Sequence, residues 1–418
     1  MDRIKLLALF VTTIVVLVFA ADVSAQTLTI LHQFGSPGDG YGPSGPLTFD
    51  TRGNLYGTTW FGPTASICQG EGCGTVFQLT PNGGGNWSES NILIFDGIDG
   101  AHPSNQLTFD SQGDLYGTAA CPEEYCDYEG VVYELSPGAG GTWTDTTLHN
   151  FHPPWDGGSP QGILFDHDGN LVGETQSGGV NDTGTVYTLL RASGWGERLN
   201  YVFGNFELRH DGAGPIGAIA FDSNGNFYGA TNSGGSKEAG IVFELTPTPG
   251  RVFWMETILY TFGGGADGHR PNGVIFGPDG NLYGTTQFGG AHNAGTVFEL
   301  IPNGDGTWTE SVIYSFHGAT DGNAPSGGVS FDAAGNMYGA TGIGGSGGCS
   351  GAGCGVIYKL TRSGGGWSES TLYTFNGVTD GAYPGSPLTL DASGNIYGIA
   401  DAGGPYGDLG GIAFELTL

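Results

Sequence analysis

The stretch Phe49-Asp50-Thr51-Arg52-Gly53-Asn54-Leu55-Tyr56-Gly57-Thr58-Thr59 decides the architecture, because the chain keeps returning to it. The same Asp-x-x-Gly frame starts at Asp110, Asp166, Asp222, Asp332 and Asp391, and Gly277 stands in for the aspartate in the remaining copy. Aspartate at the head of a β-turn bonds the amides ahead of it, and glycine at the fourth position takes the left-handed conformation. The frame therefore reads as a hairpin turn. The tyrosine recurs as Tyr116, Tyr228, Tyr283, Tyr338 and Tyr397, with Val172 in the exceptional copy, and a glycine follows in all seven. These pairs read as packing between neighbouring sheets, glycine allowing a close approach.

Working outward, each copy is preceded by Asp-Gly-x-x-Pro. The Asp-Gly pairs begin at Asp39, Asp99, Asp156, Asp211, Asp267, Asp321 and Asp380, at intervals of 54 to 60 residues. A period of that size marks an array of equivalent units. Within one unit, residues Val274–Gly277, Asn281–Thr286, Gly295–Ile301 and Trp308–Phe316 are four short strand candidates rich in Val, Ile, Tyr, Phe and Thr, separated by turn residues. Four antiparallel strands in each of seven units predict an all-β, seven-bladed β-propeller. The predicted units span about 35–95, 96–151, 152–203, 204–262, 263–316, 317–375 and 376–418 with 27–34. The last unit stops at its third strand, ending Ala413-Phe414-Glu415-Leu416-Thr417-Leu418, and the missing outer strand resembles Thr27–Phe34. The expectation is that Thr27–Phe34 pairs beside Gly411–Leu418, closing the ring and hiding two sheet edges.

Residues 1–25 read as a signal peptide: Arg3 and Lys5, an apolar run from Leu6 to Ala20, and the small-residue site Val23-Ser24-Ala25. That run is short for a membrane span, so the expected mature chain, 26–418, is a single propeller, monomeric, with no membrane span, secreted or periplasmic. Its net charge of −30 repels nucleic acid and anionic lipid and leaves cations, neutral sugars and basic peptides as partners. The 82 glycines and 21 prolines recur in register with the strands and serve as turn residues. Cysteines pair at one spacing, Cys68/Cys73, Cys121/Cys126 and Cys349/Cys354, which predicts three local disulfides rather than zinc sites, since no second pair stands near any of them.

The phrase L-Y-T-F, D-G, P, F-D, G-N-L-Y-G-T-T, G-G, G-T-V-F-E-L-T-P resembles the GloVer (Gloeo/Verruco) repeat of exported bacterial "choice-of-anchor" proteins. The likeness spans essentially the whole predicted mature chain. It implies export and a tandem array, and it brings no activity, cofactor or catalytic residue with it. The F-D-x-x-G-N-L-Y segment is also similar to NHL repeats and to propellers of the lyase and lactonase type, a shared hairpin that does not settle function.

In a propeller the Asp-Gly-x-x-Pro connections and the cysteine and Gly-Gly loops lie on one face, where a site is expected. The aspartates Asp39, Asp99, Asp156, Asp211, Asp267, Asp321 and Asp380 either ring the channel entrance, a setting suited to Ca²⁺, or cap their own turns. No cofactor is predicted otherwise. Departures from the repeat are the better candidates. Glu174 stands where other copies have Thr58, Thr118, Ala230, Thr285 and Ala340, and loops of neighbouring units hold His152, Trp155, Arg209, His210, His269 and Arg270. Glu174, His210 and His269 could supply acid–base groups, and Arg209 and Arg270 could hold an acidic sugar. Trp87, Trp143, Trp308 and Trp367 recur in register and read as blade packing, whereas Trp60 and Trp155 fall outside it and are candidates for stacking on a sugar ring. No nucleophile elbow or phosphate loop is present. These readings favour a secreted binding or interaction module for carbohydrate or a protein ligand. The alternatives are a polysaccharide lyase or hydrolase with its site at the channel mouth, or a structural cell-surface protein.

Overall fold

The computed structural model describes residues 26–63, 68–103, 105–121, 129–204, 210–250, 254–345, 348–404, 407 and 410–418. The predicted signal peptide, Cys126 and Arg209 lie outside them. Seven antiparallel sheets follow one another as blades, and among the described residues no helix is long and apolar enough to cross a membrane. Blade 1 runs outward from the axis as Tyr41–Phe49, Leu55–Phe61, Thr75–Gly83 and Asn86–Ile94. Blade 7 is built as Thr389–Leu390, Ile396–Ala400, Ile412–Thr417 and, as its outer strand, Thr27–Gln33. The pairing Thr27↔Thr417 to Gln33↔Ile412 closes the ring at the predicted place.

The core lies between blades. Each hydrophobic cluster takes residues from two adjacent sheets: Tyr56 and Val76 with Leu115 and Leu135 at the first junction, Tyr397 and Ile399 with Leu47 and Phe77 at the last. Every outer strand is followed directly by a fully buried phenylalanine, Phe34, Phe95, Phe151, Phe203, Phe262, Phe316 or Phe375. Each packs against an aromatic ring on the third strand of the next blade, from Phe34–Phe77 at 4.8 Å to Phe375–Phe414 at 5.5 Å. Phe34 makes this contact from the closing strand, so the seam is packed like the other junctions.

The glycine after each tyrosine has a more specific reason than backbone approach. A Cβ at Gly57 would stand 2.5 Å from the Phe77 ring, and one at Gly339 2.3 Å from the Tyr358 hydroxyl. The glycine makes room for the third-strand aromatic of its own blade. The tyrosine ahead of it points to the next blade: Tyr56 meets Trp143, Tyr116 meets Trp195, and Tyr283 meets Trp367. The turn aspartates bond as their frame demands. Asp332 accepts the amides of Ala334 and Asn336, the Asn336 side chain and the Tyr338 hydroxyl at 2.7 to 3.0 Å. In the copy with Gly277 the aspartate has moved two places, and Asp279 accepts the Tyr283 hydroxyl at 2.8 Å.

One expected boundary differs. The inner strand of blade 5 starts at His269, not Val274: His269–Pro271 and Ile275–Phe276 both pair with Leu282–Phe288. The x-x-Pro segment is therefore the start of the inner strand, interrupted by a bulge, and not part of a loop.

Candidate functional site

The inner strands begin at the face that carries the blade-to-blade connections, and there the seven repeats do something uniform with the backbone. The residue immediately before each proline has positive φ: Gly42 at 61°, His102 at 53°, Ser159 at 51°, Gly214 at 63°, Arg270 at 56°, Ala324 at 55° and Tyr383 at 61°. For the five non-glycine residues this conformation costs on the order of 1–2 kcal/mol each. Two contacts hold them there. Each backbone N–H donates to a carbonyl of the preceding blade, His102 to Cys73 at 2.7 Å, Arg270 to Ala239 at 3.0 Å, Tyr383 to Cys354 at 2.9 Å and Gly42 to Gly410 at 3.0 Å. Each following proline wedges over the glycine that opens the third strand of that preceding blade. A Cβ at Gly74, Gly240, Gly355 or Gly411 would collide with Pro103, Pro271, Pro384 or Pro43 at 2.4 to 2.6 Å. The backbone is the same at all seven positions, and the side chains it presents are not.

Those side chains assemble a mixed aromatic, cationic and polar rim. Trp60, at the end of the second strand of blade 1, stacks on His102 with ring centroids 5.1 Å apart and planes 16° off parallel. His102 Nδ1 lies 2.9 Å from the Trp60 carbonyl oxygen. The aromatic surface continues through Phe61 to Tyr41, whose rings stack at 4.9 Å. In blade 5, His269 stacks on Phe288 at 5.2 Å and the Arg270 guanidinium sits 5.6 Å over the same ring. Burial and then the Arg270 charge hold the His269 imidazolium below its ordinary pKa, so the ring is neutral at pH 7. Below the rim lies a cavity of about 270 Å³ on the axis, lined by Asn105, Gln106, Gln161, Asn272, Ser326 and Ser386 among backbone and apolar atoms, with no charged side chain.

The predicted site residues separate into three groups. Trp60, His269 and Arg270 are at the rim; His102 and Tyr383 belong with them and were not singled out by sequence, although the variable x before proline was visible. Trp155 and His210 are exposed on turns ahead of blades 3 and 4. Glu174 is in neither place. Its side chain is wholly buried at the junction of blades 3 and 4, near Gly229, and both carboxyl oxygens lack a hydrogen-bond partner, so it is joined to neither His210 nor His269. Burial holds it protonated, with a pKa raised well above 4.5. Val172, where other blades have tyrosine, packs in one cluster with Phe227 and Trp254 of blade 4.

The Asp-Gly aspartates do not line the axial cavity. They sit at the blade junctions. Asp321 accepts the Tyr314 hydroxyl at 2.7 Å and the His317 amide; Asp380 accepts the Tyr373 hydroxyl at 2.7 Å and the Asn376 amide. At five junctions a glutamate of the outer strand, Glu89, Glu197, Glu256, Glu310 or Glu369, stands near the aspartate, and burial first and that charge after it raise its pKa, Glu89 and Glu310 to about 7 and Glu256 to about 8. The disulfides Cys68–Cys73 and Cys349–Cys354 each close a loop on the mouth face. Cys121 is also oxidised.

Fold and site together define a closed seven-bladed propeller with a backbone-pinned, side-chain-variable mouth. Residues 63–272 and 255–418 match the Gloeobacter/Verrucomicrobia repeat, and the chain belongs to that family. No curated protein matches it. Among solved structures it is similar to a gluconolactonase from Xanthomonas campestris at 15% identity, over 77% of this chain and 88% of that one, with a TM-score of 0.40. A putative oxidoreductase (glucose dehydrogenase) from Thermus thermophilus aligns at 14% identity over 94% and 100%, with a TM-score of 0.44. The PQQ-bound aldose sugar dehydrogenase of Streptomyces coelicolor aligns at 12% over 94% and 98%, also at 0.44. These likenesses are remote.

Proposed function

We propose that this chain is an exported binding module that recognises a carbohydrate at the channel mouth. The observation that carries the reading is the ring of seven left-handed positions: a strained backbone, held identically by cross-blade hydrogen bonds and prolines, displays Gly, His, Ser, Gly, Arg, Ala and Tyr. Strain kept at positions of varied chemistry is a mark of a recognition surface. The exposed Trp60 face beside His102, with Tyr383 on the same ring, offers stacking surfaces for pyranose rings. The uncharged amides and hydroxyls of the axial cavity suit sugar hydroxyls. A net charge of −30 disfavours a strongly anionic polymer. Two local disulfides suit an oxidising compartment.

Glycan-array binding, followed by titration of the best oligosaccharide against wild type, Trp60→Ala and Arg270→Ala, tests this reading. Loss of about 1–3 kcal/mol of affinity in Trp60→Ala is expected, the range of a stacking contact removed by truncation, with an unchanged melting temperature. An array with no binder, or a binder indifferent to both substitutions, overturns it. Product release from the bound glycan would replace the binding role with an enzymatic one.

A further inference from the structure

The seam where the ring closes has a chemistry that most other junctions lack. At four junctions the outer strand presents a tyrosine to the Asp-Gly aspartate: Tyr201 to Asp211, Tyr260 to Asp267, Tyr314 to Asp321 and Tyr373 to Asp380, with hydroxyl distances of 2.7 to 3.3 Å. At the seam the same register holds His32, in the closing strand, and its Nε2 lies 2.9 Å from Asp39 Oδ2. Glu89, from the outer strand of blade 1, completes a group whose three donor atoms all lie within 4.8 Å of one another.

Asp39 also differs from the other Asp-Gly aspartates. Asp99, Asp156, Asp211, Asp267, Asp321 and Asp380 each accept a backbone amide from the connection just upstream. The corresponding amide at the seam, Gly35 N–H, donates instead to the Gly40 carbonyl. Asp39 Oδ1 is left buried without a partner, on a side chain only 4% exposed, and Glu89 Oε1 is left in the same condition. A buried carboxylate oxygen without a donor is expensive. A cation removes that cost for both oxygens at once.

We infer that His32, Asp39 and Glu89 form a divalent transition-metal site that ties the closing strand to blade 1. One imidazole nitrogen and two carboxylate oxygens suit Zn²⁺, with a water in the fourth position. Tetrahedral bonds of about 2.1 Å space donor atoms about 3.4 Å apart, so the His32–Asp39 pair would open slightly from 2.9 Å and the Glu89 oxygen would close in from within 4.8 Å. His32 is 22% exposed, which leaves a path for the ion. The bound ion would draw on the N-terminal strand, the connection into the first blade and that blade's outer strand. It would so add a metal anchor to the strand pairing and side-chain packing that hold the closing strand. The junction into blade 3 has a related trio, His149, Asp156 and Glu197, but there Asp156 accepts the His152 amide at 2.7 Å and is not free in the same way.

The test is calorimetric titration of ZnCl₂, and separately CaCl₂, into chelator-washed full-length protein, with thermal melts in parallel. Wild type is expected to bind one Zn²⁺ saturably, to melt higher when loaded, and to prefer Zn²⁺ over Ca²⁺. His32→Tyr installs the residue that this register carries at four other junctions, so it should fold and lose the Zn²⁺ binding. Glu89→Gln should lose it as well, and His149→Tyr should keep it. Absence of saturable Zn²⁺ binding, equal binding by His32→Tyr, or a preference for Ca²⁺ would overturn the assignment.

Discussion

Replacing Glu174 with threonine should stabilise the protein, and by an amount that grows with pH. The carboxyl is wholly buried with both oxygens unpartnered, and its pKa lies well above the ordinary 4.5. In the unfolded chain it ionises near 4.5; in the folded chain it stays neutral. The folded state therefore binds one more proton between those two values. Stability is unaffected below pH 4.5 and falls as pH rises towards the folded pKa, at about 1.4 kcal/mol per unit. The loss accumulates for as long as the buried group remains protonated. Threonine is the residue at Thr58 and Thr118, where the hydroxyl donates to the carbonyls of Ser44 at 2.7 Å and Gln161 at 3.0 Å. It thus has a precedent for being satisfied in this setting. For a chain of about 400 residues the unfolding entropy is roughly 0.8 kcal/mol/K, so the gap between Glu174→Thr and wild type should widen by about 2 °C for each pH unit above about 5 over which the buried group stays protonated. Differential scanning calorimetry at four pH values measures it, and subtracting the two proteins cancels the other titrating groups. A pH-independent gap, or one that narrows as pH rises, would refute the reasoning.

The junction carboxyls make the same argument for the whole molecule: with Asp99 near 6, Glu89 and Glu310 near 7 and Glu256 near 8, the melting temperature should fall as pH rises from about 4.5 to 8, most steeply below about 6 where all four groups contribute. Hydrogen bonds outweigh burial at Asp50, Asp156, Asp321 and Asp332 and hold those groups below 3.8, so stability is also lost as pH falls below about 4, and a maximum near pH ~4 should appear in a melt series. Deleting residues 27–34 removes the buried Leu31 and Phe34 and bares the Ile412–Thr417 edge; it should lower the melting temperature by more than about 10 °C, with two buried apolar side chains alone at about 2–5 kcal/mol each, and promote aggregation seen by light scattering. Asp332→Ala breaks bonds to two amides, one carboxamide and one phenol; chemical denaturation should show a loss of about 2–3 kcal/mol.

Much of the fold was legible because its signals are local. The Asp-x-x-Gly hairpins, the tyrosines and the truncated last repeat sit in the chain at fixed spacing, and closure by Thr27–Gln33 follows from counting strands. The mouth was legible only in part. The x before proline looked like loop variation, since nothing in His102, Arg270 or Tyr383 announces a left-handed backbone; the cause is a hydrogen bond to the preceding blade, about 30 residues away in sequence. Glu174 was visible as an exception, but its role depends on which face of the strand it occupies. Alternation places it with Val172, against blade 4, away from the loop histidines. The carboxyl pairs at the junctions join residues about 50 positions apart, and only the closed ring shows that they meet.

The most direct test of recognition at the mouth is hydrogen–deuterium exchange with and without the oligosaccharide chosen from the array. Slower exchange should appear at the starts of the inner strands, around 41–45, 101–106, 269–273 and 382–386, and at Trp60. Protection confined to the opposite face, around the 300 Å³ cavity that Arg52, Gln112 and Trp143 help to line, with none at the left-handed ring, would contradict it.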